Sequence, residues 1–209
     1  MNNFKKYYLR LQRATVSEIF SRFKVAIENN SLKAKIEKGQ FNVQLPLSPG
    51  RPEWIRTLQL PLIHYDDNRE KRVDNNESDL ETFETKCSNR FSYDIIPEED
   101  DPDIRSVWEP SRLQHITTLL FKLTSSPNSL NKQKEIRKSL FRWIEANPLL
   151  RGPHYISAME CGLRLPVFFY SLKILQNLTE SEQEKLLTSI YQHGWWISKR
   201  LSLHSSLGN

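Results

Sequence analysis

Four consecutive stretches of apolar residues at helical spacing, parted only by short stop signals, fill residues 108 to 204. In the first, from about Pro110 to Thr124, Ile116, Leu119, Leu120 and Leu123 fall at i, i+3, i+4 and i+7, and proline suits the first helical position. A Ser-Ser-Pro-Asn loop ends it. The second, from about Asn131 to Ala146, sets Ile136, Leu140, Trp143 and Ile144 on one face and lysines and arginines on the other, and it stops at Asn147-Pro148. The third begins after Ser157, which with Glu160 makes an S-x-x-E capping box, and runs to about Gln176. The fourth begins at Thr179, where Glu182 closes another such box, and Leu186, Leu187, Ile190, Tyr191 and Ile197 line it. Loops this short make successive helices antiparallel neighbours, so the chain is expected to be mostly α.

The helices carry polar groups in pairs. Trp108-Glu109-Pro110-Ser111-Arg112-Leu113-Gln114-His115 and Ser157-Ala158-Met159-Glu160-Cys161-Gly162-Leu163-Arg164 each place a carboxylate three or four residues before an arginine. On a helix that spacing puts Glu109, Arg112 and His115 on one stripe and Glu160 and Arg164 on another, which suits a lined cavity. Local roles fit too: Glu160 as a cap of its own helix, Glu109 with Arg112 as an i,i+3 ion pair at a helix start, His115 as a hydrogen-bonded core residue. Pro166 removes the bond to the Gly162 carbonyl and is expected to kink the third helix. Trp195 and Trp196 are adjacent, so only one of them can point into a given core from a helix.

Taken in order, the WE-xx-R-x-QH signature, Arg142-Trp143-Ile144-Glu145-Ala146-Asn147-Pro148, the S-x-ME-xx-x-R signature and the paired tryptophans resemble the heparinase II/III family of polysaccharide lyases. The resemblance spans roughly residues 105 to 209 and reaches Tyr7-Tyr8-Leu9-Arg10-Leu11 more weakly. It implies an incomplete (α/α) toroid, of which residues 108 to 209 would be the N-terminal part, and β-elimination on a uronate-containing acidic polysaccharide. That chemistry needs a group to neutralise the sugar carboxylate, a base for the neighbouring proton and an acid for the leaving oxygen. By the resemblance the family's Asn-His catalytic pair would start at Asn209, the one residue carried over as a candidate catalytic group. The family's other acid and base groups lie beyond Asn209, so the resemblance implies a fragment inactive by itself. Glu109, Arg112, His115, Glu160, Arg164 and Trp195 are the candidate substrate-binding residues: guanidinium groups hold carboxylates or sulfates in two-point contact, and tryptophan stacks on sugar rings. The alternative is a non-catalytic helical module that binds an acidic glycan or a partner subunit.

The remaining chain divides by composition. In residues 1 to 38, Leu9, Leu11, Val16, Ile19, Phe20, Phe23 and Ile27 sit near helical spacing, and Thr15 with Glu18 offers a capping box for a helix to about Asn29. This amphipathic leader helix is basic, with nine Lys/Arg against three Asp/Glu in residues 1 to 40. Residues 39 to 107 form an irregular Pro-rich and acidic extension: Pro46, Pro49, Pro52 and Pro61 break regular structure, Arg69 to Asn76 reads as a loop, and Gln59 to His64 and Phe91 to Ile96 as extended pieces. The Glu98-Glu99-Asp100-Asp101 run lacks a calcium loop's glycine and ligand spacing and reads as a solvated linker. Residues 66 to 109 hold six basic against fifteen acidic groups, and residues 110 to 209 thirteen against six.

The two cysteines, Cys87 and Cys161, are too few for a disulfide framework, and the five scattered histidines show no metal-ligand spacing. No cofactor is expected. The expected partner is an acidic polysaccharide rather than nucleic acid, joined by the rest of a toroid or a second copy of the chain. The first residues lack the apolar core of a secretory signal, and no stretch of eighteen apolar residues occurs, so the cytoplasm is the default compartment, with the periplasm open for full-length relatives.

Overall fold

A computed structural model describes residues 16–41 and 77–200, and the described chain is mostly helical. Its contacts form two compact units, Met1–Asn42 and Val43–Asn209. The expected capping residue Thr15, the loop Arg69–Asn76, the stretch Gln59–His64, the four prolines and Asn209 lie outside the described residues.

The first unit contains α1, Val16–Glu37. It does not end near Asn29, because Leu32, Lys33, Ala34 and Lys35 are good helix formers that carry it onward. Its end is set by Gly39 at φ +63, a left-handed conformation open to glycine at no steric cost. Gln40 N–H donates to the Lys35 carbonyl at 2.9 Å and Gly39 N–H to that of Ile36 at 3.1 Å, the paired bonds of a Schellman cap.

The second unit begins its described part with α2, Glu77–Cys87, where the composition suggested a linker. The helix forms because Leu80, Phe83 and Cys87, spaced by three and four, turn one face into a small core with Ile95 and Val107. Phe91 to Ile96 is not extended: Ser92–Asp94 is a 3-10 turn, and Phe91 makes only a single antiparallel bridge, to Arg151. The acidic run is built into the turns that follow. The Asp101 carboxylate accepts from Glu98 N–H at 2.8 Å and pairs with Lys86 at 3.3 Å. Asp103 caps α3, Ile104–Ser111, accepting from Arg105 N–H at 3.0 Å.

The single helix expected from Pro110 to Thr124 is two. α3 ends at Ser111, and α4, Gln114–Thr124, starts after Leu113, whose φ of +60 turns the chain. A left-handed residue with a Cβ costs about 1–2 kcal/mol, and burying a leucine side chain returns about 1.5–3 kcal/mol. Leu113 is 3% exposed, so packing outweighs the strain. Glu109, Arg112 and His115 therefore do not form one stripe.

The core is built by α4, α5 (Leu130–Ala146), α6 (Ala158–Ile174) and α7 (Glu180–Lys199). Ile116, Leu120, Ile136, Leu140, Phe168, Leu172 and Leu186 meet there with almost no exposure. Five residues connect α4 to α5, eleven connect α5 to α6, and five connect α6 to α7. The principal contacts follow that rhythm: α4 on α5 and α6 on α7 as hairpins, with α4 against α6 and α5 against α7. This is one helical hairpin laid beside another. α6 continues through Pro166 to Ile174, buried on most of its circumference.

The two capping boxes read from sequence differ in outcome. At Thr179 both reciprocal bonds form, Thr179 Oγ1 accepting from Glu182 N–H at 3.2 Å and Glu182 Oε2 from Thr179 N–H at 2.8 Å. At Ser157 neither bond of the box forms: its hydroxyl makes no cap bond, and the Glu160 carboxylate is taken by Arg112. Thr179→Ala should therefore cost roughly 0.5–2 kcal/mol and Ser157→Ala less than about 0.5 kcal/mol in urea unfolding followed by helix circular dichroism.

Candidate functional site

The polar signatures meet at the segment between α5 and α6. Gly152, at φ +72 and ψ −174, bends the chain into a 3-10 turn, Pro153–Tyr155. Three consecutive carbonyls of this turn are each taken by a side chain from a different helix. The Trp108 indole of α3 donates to the Pro153 carbonyl at 2.9 Å, the Arg164 Nη2 of α6 to that of His154 at 2.5 Å, and the Trp196 indole of α7 to that of Tyr155 at 3.1 Å. Buried carbonyls of an irregular segment need such partners, since no helix or sheet ladder supplies them.

Arg164 is fully buried. Its Nε donates to His193 Nε2 at 3.1 Å and its Nη2 also to Cys161 Sγ at 3.3 Å, while its guanidinium carbon lies 5.1 Å from the Trp143 ring centre and 5.5 Å from that of Tyr155. Because the arginine can only donate, His193 Nε2 must accept, so its proton sits on Nδ1 and is given to the Ser189 carbonyl at 2.8 Å. Glu160, four residues before Arg164, is not its partner. It accepts from Arg112 in two-point contact, Nε to Oε2 at 2.7 Å and Nη2 to Oε1 at 2.8 Å, linking the end of α3 to the start of α6. Two charge-assisted bonds in a fork outweigh the single local cap bond that Glu160 would make with its own helix.

The candidate residues thus separate into two groups. Glu160 and Arg164 are sealed from solvent, and Arg112, 18% exposed at its side chain, is held by Glu160. Glu109, Trp195 and His115 face outward to different degrees: Glu109 and His115 are exposed and Trp195 is half-buried. Trp196 is the tryptophan that enters the core, stacked beside Trp195 with ring centres 5.9 Å apart. Sequence reasoning missed Tyr155, His154 and His193, which lie against Arg164 but carry no fixed spacing to it. It also missed Arg200, which spans the Tyr93 and Trp196 rings at 4.5 and 4.7 Å.

Burial beside a guanidinium decides the protonation of this centre. Desolvation first, and Arg164 second, lower both His154 and His193 to about 3, and burial raises the Tyr155 hydroxyl and the Cys161 thiol. At neutral pH the centre holds one cation, two neutral imidazoles, a thiol and a phenol. It is poor in nucleophiles and bases accessible to a substrate. Both cysteines are free and buried.

Open concave surface lies at the edge of the joint and beyond it. One groove of about 330 Å³ runs between the end of α5 and the middle of α7, bordered by Trp143, Asn147, Glu184, Thr188 and Gln192. A second, of about 530 Å³, lies along the first half of α5, bordered by Lys134, Lys138, Phe141, Gln176 and Asn177. Among the described residues no group of three His, Cys, Asp or Glu is arranged to hold a metal ion, and no helix is long and apolar enough to cross a membrane.

No family model, curated protein or solved structure matches the chain.

Replacing Glu160 with alanine removes the two-point carboxylate contact of the partly buried Arg112 and should cost about 3–5 kcal/mol, against less than about 0.5 kcal/mol for Glu109→Ala at the exposed end of the same guanidinium, measured by urea denaturation. The histidines set a pH dependence. Their folded values, about 3, lie below the ordinary 6.5, so below pH 6.5 the unfolded chain binds protons that the folded chain refuses. Their contribution is complete above pH 6.5 and is lost progressively as pH falls toward 3. Unfolding free energies measured across that range should fall, and a His154→Gln variant should show the shallower slope.

Proposed function

We propose that residues 104–200 are helical hairpins of the (α/α) toroid of a heparinase II/III-like polysaccharide lyase, and that they serve to hold an acidic, uronate-containing polysaccharide rather than to cleave it. The observation that carries this reading is the stacking of hairpin on hairpin. An up-and-down four-helix bundle brings α5 against α6 and closes α7 onto α4; here the principal contacts are instead α4 with α6 and α5 with α7, the repeat by which α-hairpin arrays grow sideways. Three of the four features that carry the resemblance also converge on one joint, through Arg112 with Glu160, Trp143 with Ser111 at 3.3 Å, and Arg164 with Trp143.

Joint residues of this kind account for the spacing of the motifs without asking them to touch sugar. Arg164, His154, His193 and Tyr155 are enclosed, and β-elimination needs a base and an acid at the sugar ring. Asn209 remains the one residue proposed for that chemistry from this chain. The second reading, a non-catalytic module that binds an acidic glycan or a partner subunit, draws on the same enclosure.

Alginate, heparin, chondroitin sulfate and hyaluronan, with neutral dextran as reference, distinguish the outcomes in a binding assay run beside an ultraviolet assay for the unsaturated uronate product. Binding of one or more uronate polymers above dextran without product is the expected result. Product formation would instead assign catalysis to this chain, and equal or absent binding throughout would remove the glycan reading.

A further inference from the structure

We propose that the basic ridge of α5 is the site where this chain grips a linear polyanionic glycan, an inference that rests on the acidic-polysaccharide reading above. Lys134, Lys138 and Arg142 recur every four residues, so they line one side of α5 at steps of about 6 Å and cover roughly 12 Å. All three are exposed, and none forms an ion pair among the described residues. A chain with a carboxylate or sulfate on successive sugars meets such a row as a repeating charge meets a repeating charge.

The ridge is more than a solvated helix face, because a groove of about 530 Å³ runs beside it. Its inner wall is Phe141, 9% exposed, and its far rim is the turn after α6, where Gln176 and Asn177 bring amide groups. That rim is fixed. Arg137 donates to both carboxylate oxygens of Glu182, with Nε to Oε1 at 3.0 Å, and reaches the Asn177 carbonyl with Nη1 at 3.4 Å. The arginine neutralises Glu182, the one acid among the described residues that border the groove, so the free charge they present to it is positive. Along α5 the acid Glu145 is likewise taken by Lys185 at 2.5 Å, which leaves Glu135 as the helix's open carboxylate. An apolar wall, an amide rim and a row of free cations match a sugar chain's ring faces, hydroxyls and acid groups in turn. The groove at α7 offers no such match, since Glu184 faces it and its one lysine is tied to Glu145.

The full chain, titrated into a fluorescently labelled heparin oligosaccharide and followed by anisotropy, tests the assignment. The charge reversal Lys134→Glu/Lys138→Glu, two exposed positions that leave the core untouched, should weaken binding roughly tenfold or more at low salt and flatten its dependence on salt. Lys122→Glu on the exposed side of α4 should change it by less than about twofold. Circular dichroism establishes that each variant keeps its helices. Unchanged binding by the double variant, or an equal loss in the Lys122 control, would overturn the site while leaving the glycan reading standing. Failure of the unmodified chain to bind any uronate polymer would overturn both. A single-stranded oligodeoxynucleotide of equal charge that binds as tightly, with the same loss on reversal, would make the ridge a nucleic-acid surface and end the proposal.

Discussion

The second unit depends on a three-residue turn whose own backbone gives its carbonyls one long bond, from Ile156 N–H to Pro153 at 3.5 Å. Pro153, His154 and Tyr155 are buried, and their carbonyls point at three helices in succession, each of which sends one donor. Two of those donors are indole nitrogens and one is a guanidinium, all long and rigid enough to reach a carbonyl from a helix flank. With the turn held, α3, α6 and α7 are fixed to a common point. The two hairpins themselves meet through the apolar core of Ile116, Leu120, Ile136, Leu140, Phe168, Leu172 and Leu186.

Two arginines, Arg112 partly buried and Arg164 fully so, are treated differently by the fold. Arg112 meets a carboxylate in two-point contact, the arrangement in which attraction best offsets the loss of water. Among the described residues Arg164 has no carboxylate partner. Its charge is spread over a carbonyl, a sulfur, a neutral imidazole and two aromatic faces. That surrounding explains why His154 and His193 stay neutral: burial strips water from a second positive charge and Arg164 repels it, and the half-exposed Glu84 carboxylate, 3.6 Å from His154 Nε2, does not offset the two.

Much of the helical framework was legible in the residues. The spacing of Ile136, Leu140 and Trp143 placed α5 within one residue of its start, and the Thr179 box marked the onset of α7 where both its bonds form. Local signals failed where a distant partner competed for the same group. Ser157 and Glu160 have the spacing of a capping box, but Arg112, forty-eight residues away from Glu160, offers two charge-assisted bonds where the cap offers one. The stripe from Glu109 to His115 failed because Leu113 breaks the helix, a left-handed leucine that no propensity favours and that burial makes worthwhile. Acidic composition likewise hid α2, whose three apolar contacts matter more than the charges between them.

The sequence by itself determined the mostly helical class, the short turns that make hairpins of α4 with α5 and of α6 with α7, and the basic face of α5, because period, capping and charge are local properties of neighbouring residues. It also held the pairing rule for the tryptophans, since adjacent side chains on a helix diverge, although which of the two turns inward was not written there. Only the tertiary structure decided which polar residues are enclosed and which are open. Glu160, Arg164, His154 and His193 depend on partners tens of residues away, and their charge states depend on how much water those partners exclude.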